Sequence, residues 1–477
     1  MRFLHCLIFT EPIVNLYIIN QTHEVFELKL YDRARALNIN GAKVLAEKER
    51  LLNETFFLSC TLIRTVELKS LTLVQELFRN YYMRDYSPNS TLHMIDKREF
   101  GFVLFEGVML RHKSFKYGDE LKSYLINSVP SNAYCSCAYY GNPEADMEKK
   151  GWLGADLIFD IDADHIPTPC NKVHDEWVCG SCGFTGKGIT PEICPICGSE
   201  KFDAKTWPCE VCLNSAKSET IKLLDALTDD FGFSKNEIRT FFSGHRGYHV
   251  QVDSDDARIL DAISRKEIVD YVCGLGIDVV LHGLSEKEPR MAHIMQGSSL
   301  NDFGWRRRIV KGMYNLILNA KEEDFMRVGL KRNVIGIIFD NKNAILQSWD
   351  NSEPWRTIKG VGFQTWKKIA EHSAKLQSAK IDTVVTTDIH RLIRLTDTLH
   401  GKTGFKKVEF PVSALDDFDP FKSAVAFKEN TATVFVFDAP EFRLGDEIFG
   451  PYKNQKVELP SAAAALLVCK GRAEVAD

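Results

Sequence analysis

The sequence predicts a mixed α/β protein, of the α+β kind, built around an antiparallel or mixed sheet, and three observations carry that expectation. Residues 151–162, GWLGADLIFDID, form a short apolar run bounded by glycines and closing on acids, the pattern of a buried strand with polar groups at its end. Residues 238–253, IRTFFSGHRGYHVQVD, read as a strand, a glycine-bearing turn and a second strand. Between about 255 and 375 the apolar spacing turns helical, in ARILDAISRKEIVDYVCG, MYNLILNAKEEDFMRVGL and FQTWKKIAEHSAKLQ.

The remaining elements follow in chain order. Residues 1–66 hold short apolar runs without a repeat and a helical pattern in AKVLAEKERLL, and read as a poorly organised extension. From residue 67, VELKSLTLVQELFRNYYMRDY has helical spacing, and two strands, EFGFVLF and VMLRHKSF, flank Glu106-Gly107. A cysteine-rich block follows the acidic strand and leads into a helix, SAKSETIKLLDALTDDFGF. Strand character returns at IDTVV, and the tail SAAAALLVCKGRAEVAD packs as a helix or a strand. The expected organisation is an extension at 1–66, a discontinuous core at 67–254 and 376–477, a zinc-binding module inserted at 165–215, and a mostly helical subdomain at 255–375.

Sixty Lys and Arg against 65 Asp and Glu leave a formal net charge of −5, which excludes a wholly basic nucleic-acid coat. Local basic stretches remain. HRLIRLTDTLHGKTGFKK sets Arg391, Arg394, Lys402, Lys406 and Lys407 against Asp397, and WRRRIVK at 305–311 is a second such run. The one candidate targeting segment, MRFLHCLIFTEPIVNLYIIN, is interrupted by Glu11-Pro12, lacks a small-residue cleavage site and is too short to span a bilayer. The expectation is a soluble cytoplasmic protein with no membrane partner.

Seven of the thirteen cysteines lie between Cys170 and Cys212, and a dense local cluster of this kind indicates metal rather than a disulfide framework. Cys179-x2-Cys182 and Cys194-x2-Cys197 are two knuckles that together offer four thiolates to one Zn2+. Cys170 and His174 on one side, and Cys209-x2-Cys212 on the other, make a second set of three thiolates and one imidazole. Eight ligands in two closed sets leave no open coordination position, so both zinc ions are expected to be structural.

Catalytic chemistry is therefore sought elsewhere. Asp160 and Asp162 stand two apart at a strand end, which puts both carboxylates on one face and turns Ile161 into the core. Such a pair can hold Mg2+ or Mn2+, activating a 3′-hydroxyl and neutralising a triphosphate. Asp156 and Asp164 compete for this role, and a pair of solvated loop acids is the plain alternative. In Ser243-Gly-His-Arg246-Gly-Tyr-His249, a hydroxyl, a guanidinium and an imidazole sit among glycines, as a phosphate-binding turn requires. Arg246 there is expected to pair bidentately with anion oxygens, although an ordinary basic β-turn has the same composition.

FDID, SGHRGYH and RLIRLTDTLHGKTGF, in this order and with paired cysteines between the first two, resemble the catalytic small subunit of archaeal and eukaryotic DNA primases, and the archaeal form more. The resemblance runs from about residue 70 to the C-terminus. It implies a primase-type catalytic core in which Asp160, Asp162 and a later aspartate hold the catalytic Mg2+ or Mn2+. Asp382 matches that later position, with Asp388 as its neighbour. It further implies that Ser243, Arg246, His249, Arg394 and His400 contact nucleotide phosphates, and that Glu99 and Arg111 stand near the nucleotide. The family's zinc ligands match Cys170, His174, Cys209 and Cys212, so the Cys179–Cys197 ribbon looks like an insertion inside that site. Thr396-Asp397 departs from the Pro-Gly that archaeal relatives often carry.

The implied activity is de novo synthesis of short RNA or DNA primers on single-stranded DNA from NTPs or dNTPs, a nucleotidyltransferase reaction in replication. The implied partners are an iron–sulfur-bearing large subunit and the replication machinery, in a nucleoid-associated setting. Two other readings stand beside it. One is a related polymerase that extends primers or ends in repair. The other is a non-catalytic zinc-ribbon subunit that binds nucleic acid and whose acids are structural.

Overall fold

The computed structural model describes residues 68–88, 92–287, 294–349, 354–428 and 430–476, together with three strands ahead of them, Phe9–Thr10, Ile13–Ile19 and Val25–Lys29. These three pair in order as an antiparallel meander, within a segment whose sequence reads as poorly organised. The helical pattern AKVLAEKERLL lies outside the described residues.

The protein is a mixed α/β structure with several antiparallel sheets, two of which frame the candidate site. One runs in the order Val408–Phe410, Ile238–Phe242, Gly247–Val252, Leu157–Asp162. The other runs Leu392–Arg394, Asn132–Ser136, Phe100–Val103, Met109–Lys113. Strand alternation gives the acidic strand two different faces. Leu157, Phe159 and Ile161 are buried with Leu213, Leu223 and Leu227 of the helix Glu210–Asp229. Ile158 points the other way, into a cluster with Ala133, Cys135 and Ile393 of the second sheet. Asp160 and Asp162 share the Ile158 face and so look toward the space between the two sheets.

The cysteine-rich block forms a small antiparallel sheet, with Glu176–Cys179 between Thr185–Lys187 and Phe202–Lys205. The helical stretch holds Ala262–Val272, Gly304–Asn319 and Phe363–Gln377 among others. Its separate apolar cluster contains Trp349, Trp355 and Trp366, stacked edge to face. The tail does both things its composition allows: Ser461–Cys469 is a helix, and Ala473–Val475 then pairs with Thr431–Ala439.

One expected strand is corrected. In IDTVV, Thr383–Thr387 is a short helix because Asp382 caps it, its Oδ1 accepting from Val384 N at 2.9 Å and Val385 N at 3.3 Å. An N-cap carboxylate satisfies donors that the β-branched run would otherwise offer to a sheet.

The hairpin Ile238–Phe242/Gly247–Val252 approaches the acidic strand very closely. A Cβ at Gly247 would stand 2.0 Å from the Ile161 carbonyl oxygen, and Gly244 in the same turn has φ +84°. Gly247→Ala must therefore push two paired strands apart, and a loss of at least about 2 kcal/mol in urea denaturation is expected. A loss below about 0.5 kcal/mol would show that the strand pair yields freely.

Candidate active site

The register of the sheet assembles the site. Asp162 lies opposite Gly247 and Asp160 opposite His249, whose Nε2 is 3.4 Å from Asp160 Oδ1. Asp382 joins them from a distant part of the chain, its backbone N–H donating to the Asp160 carbonyl at 2.8 Å. Burial, then the charge of Asp162, then that of Asp382, pushes the Asp160 carboxyl up to about 7. Burial and the charge of Asp164 push Asp162 up to about 6. Carboxylates that raise one another in this way are a site short of positive charge, and a divalent cation supplies it.

The neighbouring acids are placed differently. Asp156 is buried and accepts from Arg98 Nη2 and from the Tyr139 hydroxyl, each at 2.7 Å, so it is consumed internally. Asp388 accepts from His390 N at 2.9 Å, and its carbonyl lies 3.7 Å from Cys137 Sγ. Asp162, Asp164 and His245 have ligand atoms within 4.8 Å of one another.

In the turn, Ser243 Oγ accepts from the backbone N–H of His245 at 3.3 Å and of Gly247 at 3.2 Å. Its own hydroxyl hydrogen remains available to an anion. Arg246 is anchored by protein groups through part of its guanidinium. Its guanidinium is fully buried, with Nη1 2.9 Å from both Asp175 oxygens and 3.1 Å from Asp164 Oδ1. Its Nη2 is 3.4 Å from Cys212 Sγ. Its Nε has no hydrogen-bond partner among the described residues.

Three buried imidazoles line the site. Burial first, and then neighbouring cations, hold His245, His249 and His400 well below the ordinary histidine range, so all three are neutral. His400 Nδ1 accepts from Lys402 N at 3.0 Å, which leaves the proton on Nε2. His249 Nδ1 has no hydrogen-bond partner among the described residues. His245 and His400 stack with ring centroids 4.8 Å apart. Arg394 donates to Asn132 Oδ1 at 2.8 Å and lies over the Tyr134 ring. Lys407 donates to the Arg394 carbonyl at 2.8 Å, and burial pushes its ammonium down to about 8.

Glu99 and Arg111 form a unit on the second sheet. The Glu99 carboxylate has no solvent exposure and accepts from Lys150 Nζ at 2.7 Å, Arg111 Nε at 3.0 Å and His112 N at 3.2 Å. Burial works to raise its pKa, but the bonds from Lys150 and Arg111 prevail and hold it below the usual carboxylate range. Glu99 therefore orients Arg111, whose side chain stays 40% exposed.

Both thiolate sets converge. Cys170, Cys209 and Cys212 have Sγ–Sγ separations of 3.2, 3.4 and 3.6 Å, and His174 Nε2 is 3.2 Å from Cys209 Sγ. Cys179–Cys197 and Cys182–Cys194 are 3.6 and 3.7 Å apart. In each set all four ligand atoms lie within 4.8 Å of one another, consistent with a tetrahedral zinc site. His174 Nδ1 lies 2.7 Å from Asp175 Oδ1, the same carboxylate that holds Arg246. Asp175 is thus a shared support for the first thiolate set and the turn.

Two nearby groups, Asp175 and Lys470, had no sequence signal: each is an ordinary polar residue until folding brings it in. Lys470 Nζ lies 2.9 Å from His245 Nε2, across 225 positions of chain. His245 lay inside a recognised motif, but only its neighbours were singled out.

Sheet, carboxylates and thiolate sets together define the class: a mixed α/β protein with two zinc-type clusters beside a carboxylate–imidazole site. Residues 203–412 match the family model of the DNA primase small subunit. The DNA primase small subunit PriS of Cenarchaeum symbiosum is 33% identical over 408 residues, covering 86% of this chain and 99% of that protein. The PriS proteins of Nitrosopumilus maritimus and Methanococcoides burtonii are 30% and 33% identical, over 84% and 86% of this chain and 98% and 99% of their own lengths. This chain belongs to the DNA primase small subunit family, and is accordingly the catalytic subunit of a nucleotidyltransferase that acts in replication. The words "small subunit" imply a large-subunit partner. Among the described residues, no helix is long and apolar enough to cross a membrane.

The raised carboxyls make a testable link to stability. An unfolded aspartate titrates near pH 4, so between that pH and about 7 the folded chain holds the extra proton at Asp160. Ionising this carboxyl therefore costs stability as pH rises through that window. In buffer free of Mg2+ and Mn2+, denaturation from pH 5 to pH 8 is expected to show a steeper loss for the wild type than for Asp160→Asn. Equal slopes would remove Asp160 as the strained group.

Proposed function

We propose that this chain synthesises short RNA or DNA primers de novo on single-stranded DNA, joining nucleotides at the Asp160–Asp162 strand end. The observation that carries the reading is the convergence of Asp160, Asp162 and Asp382, in a member of this family, beside His249. These three carboxylates would hold Mg2+ or Mn2+. When bound, the ions neutralise a triphosphate and lower the pKa of the attacking 3′-hydroxyl. The side chains do the rest by position. The Ser243 hydroxyl, the N–H groups of His249 and His400, and the Arg394 guanidinium donate to phosphate oxygens. Arg111, aimed by Glu99, adds a cation from the second sheet. Arg246, anchored to Asp175 through Nη1, adds the turn's guanidinium charge to the phosphate site. Catalysis is then orientation for an in-line displacement plus stabilisation of the charge that develops.

The primase-type core comprises 67–254 and 376–477, with a zinc module at 165–215 and a helical subdomain at 255–375. Zinc in both thiolate sets is structural, because neither leaves a ligand position open. An iron–sulfur-bearing large subunit and the replication machinery complete the working enzyme, in the cytoplasm at the nucleoid.

The deciding assay is synthesis on an unprimed single-stranded template with labelled nucleotides and Mg2+ or Mn2+. Asp160→Asn or Asp162→Asn is expected to lower nucleotide addition by about a thousandfold or more while template binding persists. Wild-type synthesis by either variant would sink the carboxylate assignment. Extension of annealed primers alone, even with the large subunit added, would indicate the related repair polymerase. Silence with binding retained would indicate a zinc-ribbon binding subunit. Cys179→Ser is expected to lower bound zinc from two ions per chain to one, and elemental analysis still finding two would refute that set.

A further inference from the structure

We propose that Lys470 is a phosphate-binding residue of the nucleotide site, closing with His245 and His400 a subsite for the terminal phosphate of the incoming triphosphate. The proposal rests on the nucleotide site assigned above and adds a group from the far end of the chain.

The position of Lys470 is set by a helix end rather than by a free loop. It follows Ser461–Cys469, whose Ala463, Ala464, Leu466 and Leu467 are buried in the main core. Lys470 N bonds back to the Leu466 carbonyl at 3.0 Å, and Arg472 N to the Leu467 carbonyl at 2.8 Å. A lysine in this place ordinarily turns toward the free carbonyls of its own helix. This one reaches away to His245 Nε2 at 2.9 Å, its sole hydrogen-bond partner among the described residues. No carboxylate of the described residues lies within 4.0 Å of it, and the charges acting on it are those of Arg246, then Asp164, then Lys402. An ammonium whose one hydrogen-bond partner is an imidazole keeps two N–H donors, and its nearest opposite charge, Asp164, is not in contact with it.

The groups around it form a row. Asp160 meets His249 at 3.4 Å, and His249 and His400 are electrostatic neighbours. His400 stacks on His245 at 4.8 Å, and His245 holds Lys470 at 2.9 Å. Proton placement suits an anion along this row. His245 accepts from Lys470 through Nε2, so its remaining hydrogen is on Nδ1. His400 accepts through Nδ1 and donates through Nε2. Asp160 marks where the displacement occurs, and the row curves from it through the imidazoles to His245, which also lies within 4.8 Å of Asp162 and Asp164, with Lys470 beyond it. A triphosphate that follows this curve meets the lysine with its most highly charged phosphate.

The test compares Lys470→Ala and Lys470→Met, the second keeping an apolar stem in place, with the rescue variant Lys470→Arg. Thermal melting first establishes that each variant is folded. In unprimed synthesis, KM for the nucleotide is expected to rise about tenfold or more in the Ala and Met variants, kcat to change much less, and Lys470→Arg to recover most of the loss. Calorimetry without divalent ions supplies a readout independent of synthesis. Inorganic tripolyphosphate should bind the Ala and Met variants about tenfold more weakly than wild type, whereas a nucleoside monophosphate should bind all forms alike. Unchanged tripolyphosphate affinity in a folded Lys470→Met would overturn the proposal, as would an equal loss for monophosphate and tripolyphosphate. A wild type that binds tripolyphosphate through Lys470 but synthesises nothing would overturn the reading of the reaction and leave the subsite standing.

Discussion

The site depends on one strand pairing, Leu157–Asp162 against Gly247–Val252, and on its register. Gly247 opposite Asp162 and His249 opposite Asp160 put two carboxylates, an imidazole and the phosphate-type turn on one face. Because side chains alternate with period two, a slip of one residue would send both acids into the apolar layer beneath, where Leu157, Phe159 and Ile161 now lie. The close approach at Gly247 locks that register, since only a residue without Cβ lets the strands meet there. The arrangement gathers like charges in a buried place, and the raised carboxyls of Asp160 and Asp162 record that strain.

Arg246 and Asp175 connect this strained sheet to the thiolate-rich module. A fully buried guanidinium is costly to desolvate and is stabilising only when its partners are complete. Here it faces Asp175, Asp164 and the Cys212 sulfur, while Asp175 also fixes His174. Loss of the first thiolate set would therefore be felt in the turn that carries Ser243 and His249. The four-cysteine ribbon lacks such a link: among the described residues, none of its sulfurs hydrogen-bonds to the turn.

Much of this was legible in the chain itself. The x2 spacings of the cysteines define closed thiolate sets whatever the fold, because a knuckle is a local object. The alternation in LIFDID likewise implies a strand with an apolar and an acidic face. One misreading has a local cause. IDTVV has β-branched residues, yet a capping hydrogen bond from Asp382 turned it into a helix. At Asp382, a specific polar partner outweighed a propensity. The ion pair of Arg246 with Asp175, 71 positions away, had no signal in the chain either.

What the sequence determined alone were the features whose physics is local: strand and helix periods, metal-ligand spacing, and a glycine-rich turn with a hydroxyl and imidazoles. Its resemblance to DNA primase small subunits, and hence its class of activity, is carried by the same short motifs. Tertiary structure decided which charges face one another. Asp382 came to Asp160 through a backbone hydrogen bond, Asp175 to Arg246 through a buried ion pair, and Lys470 to His245 across most of the second half of the chain. Electrostatic partnership falls off with distance in space and is indifferent to distance along the chain, so no pattern of neighbouring residues encodes it.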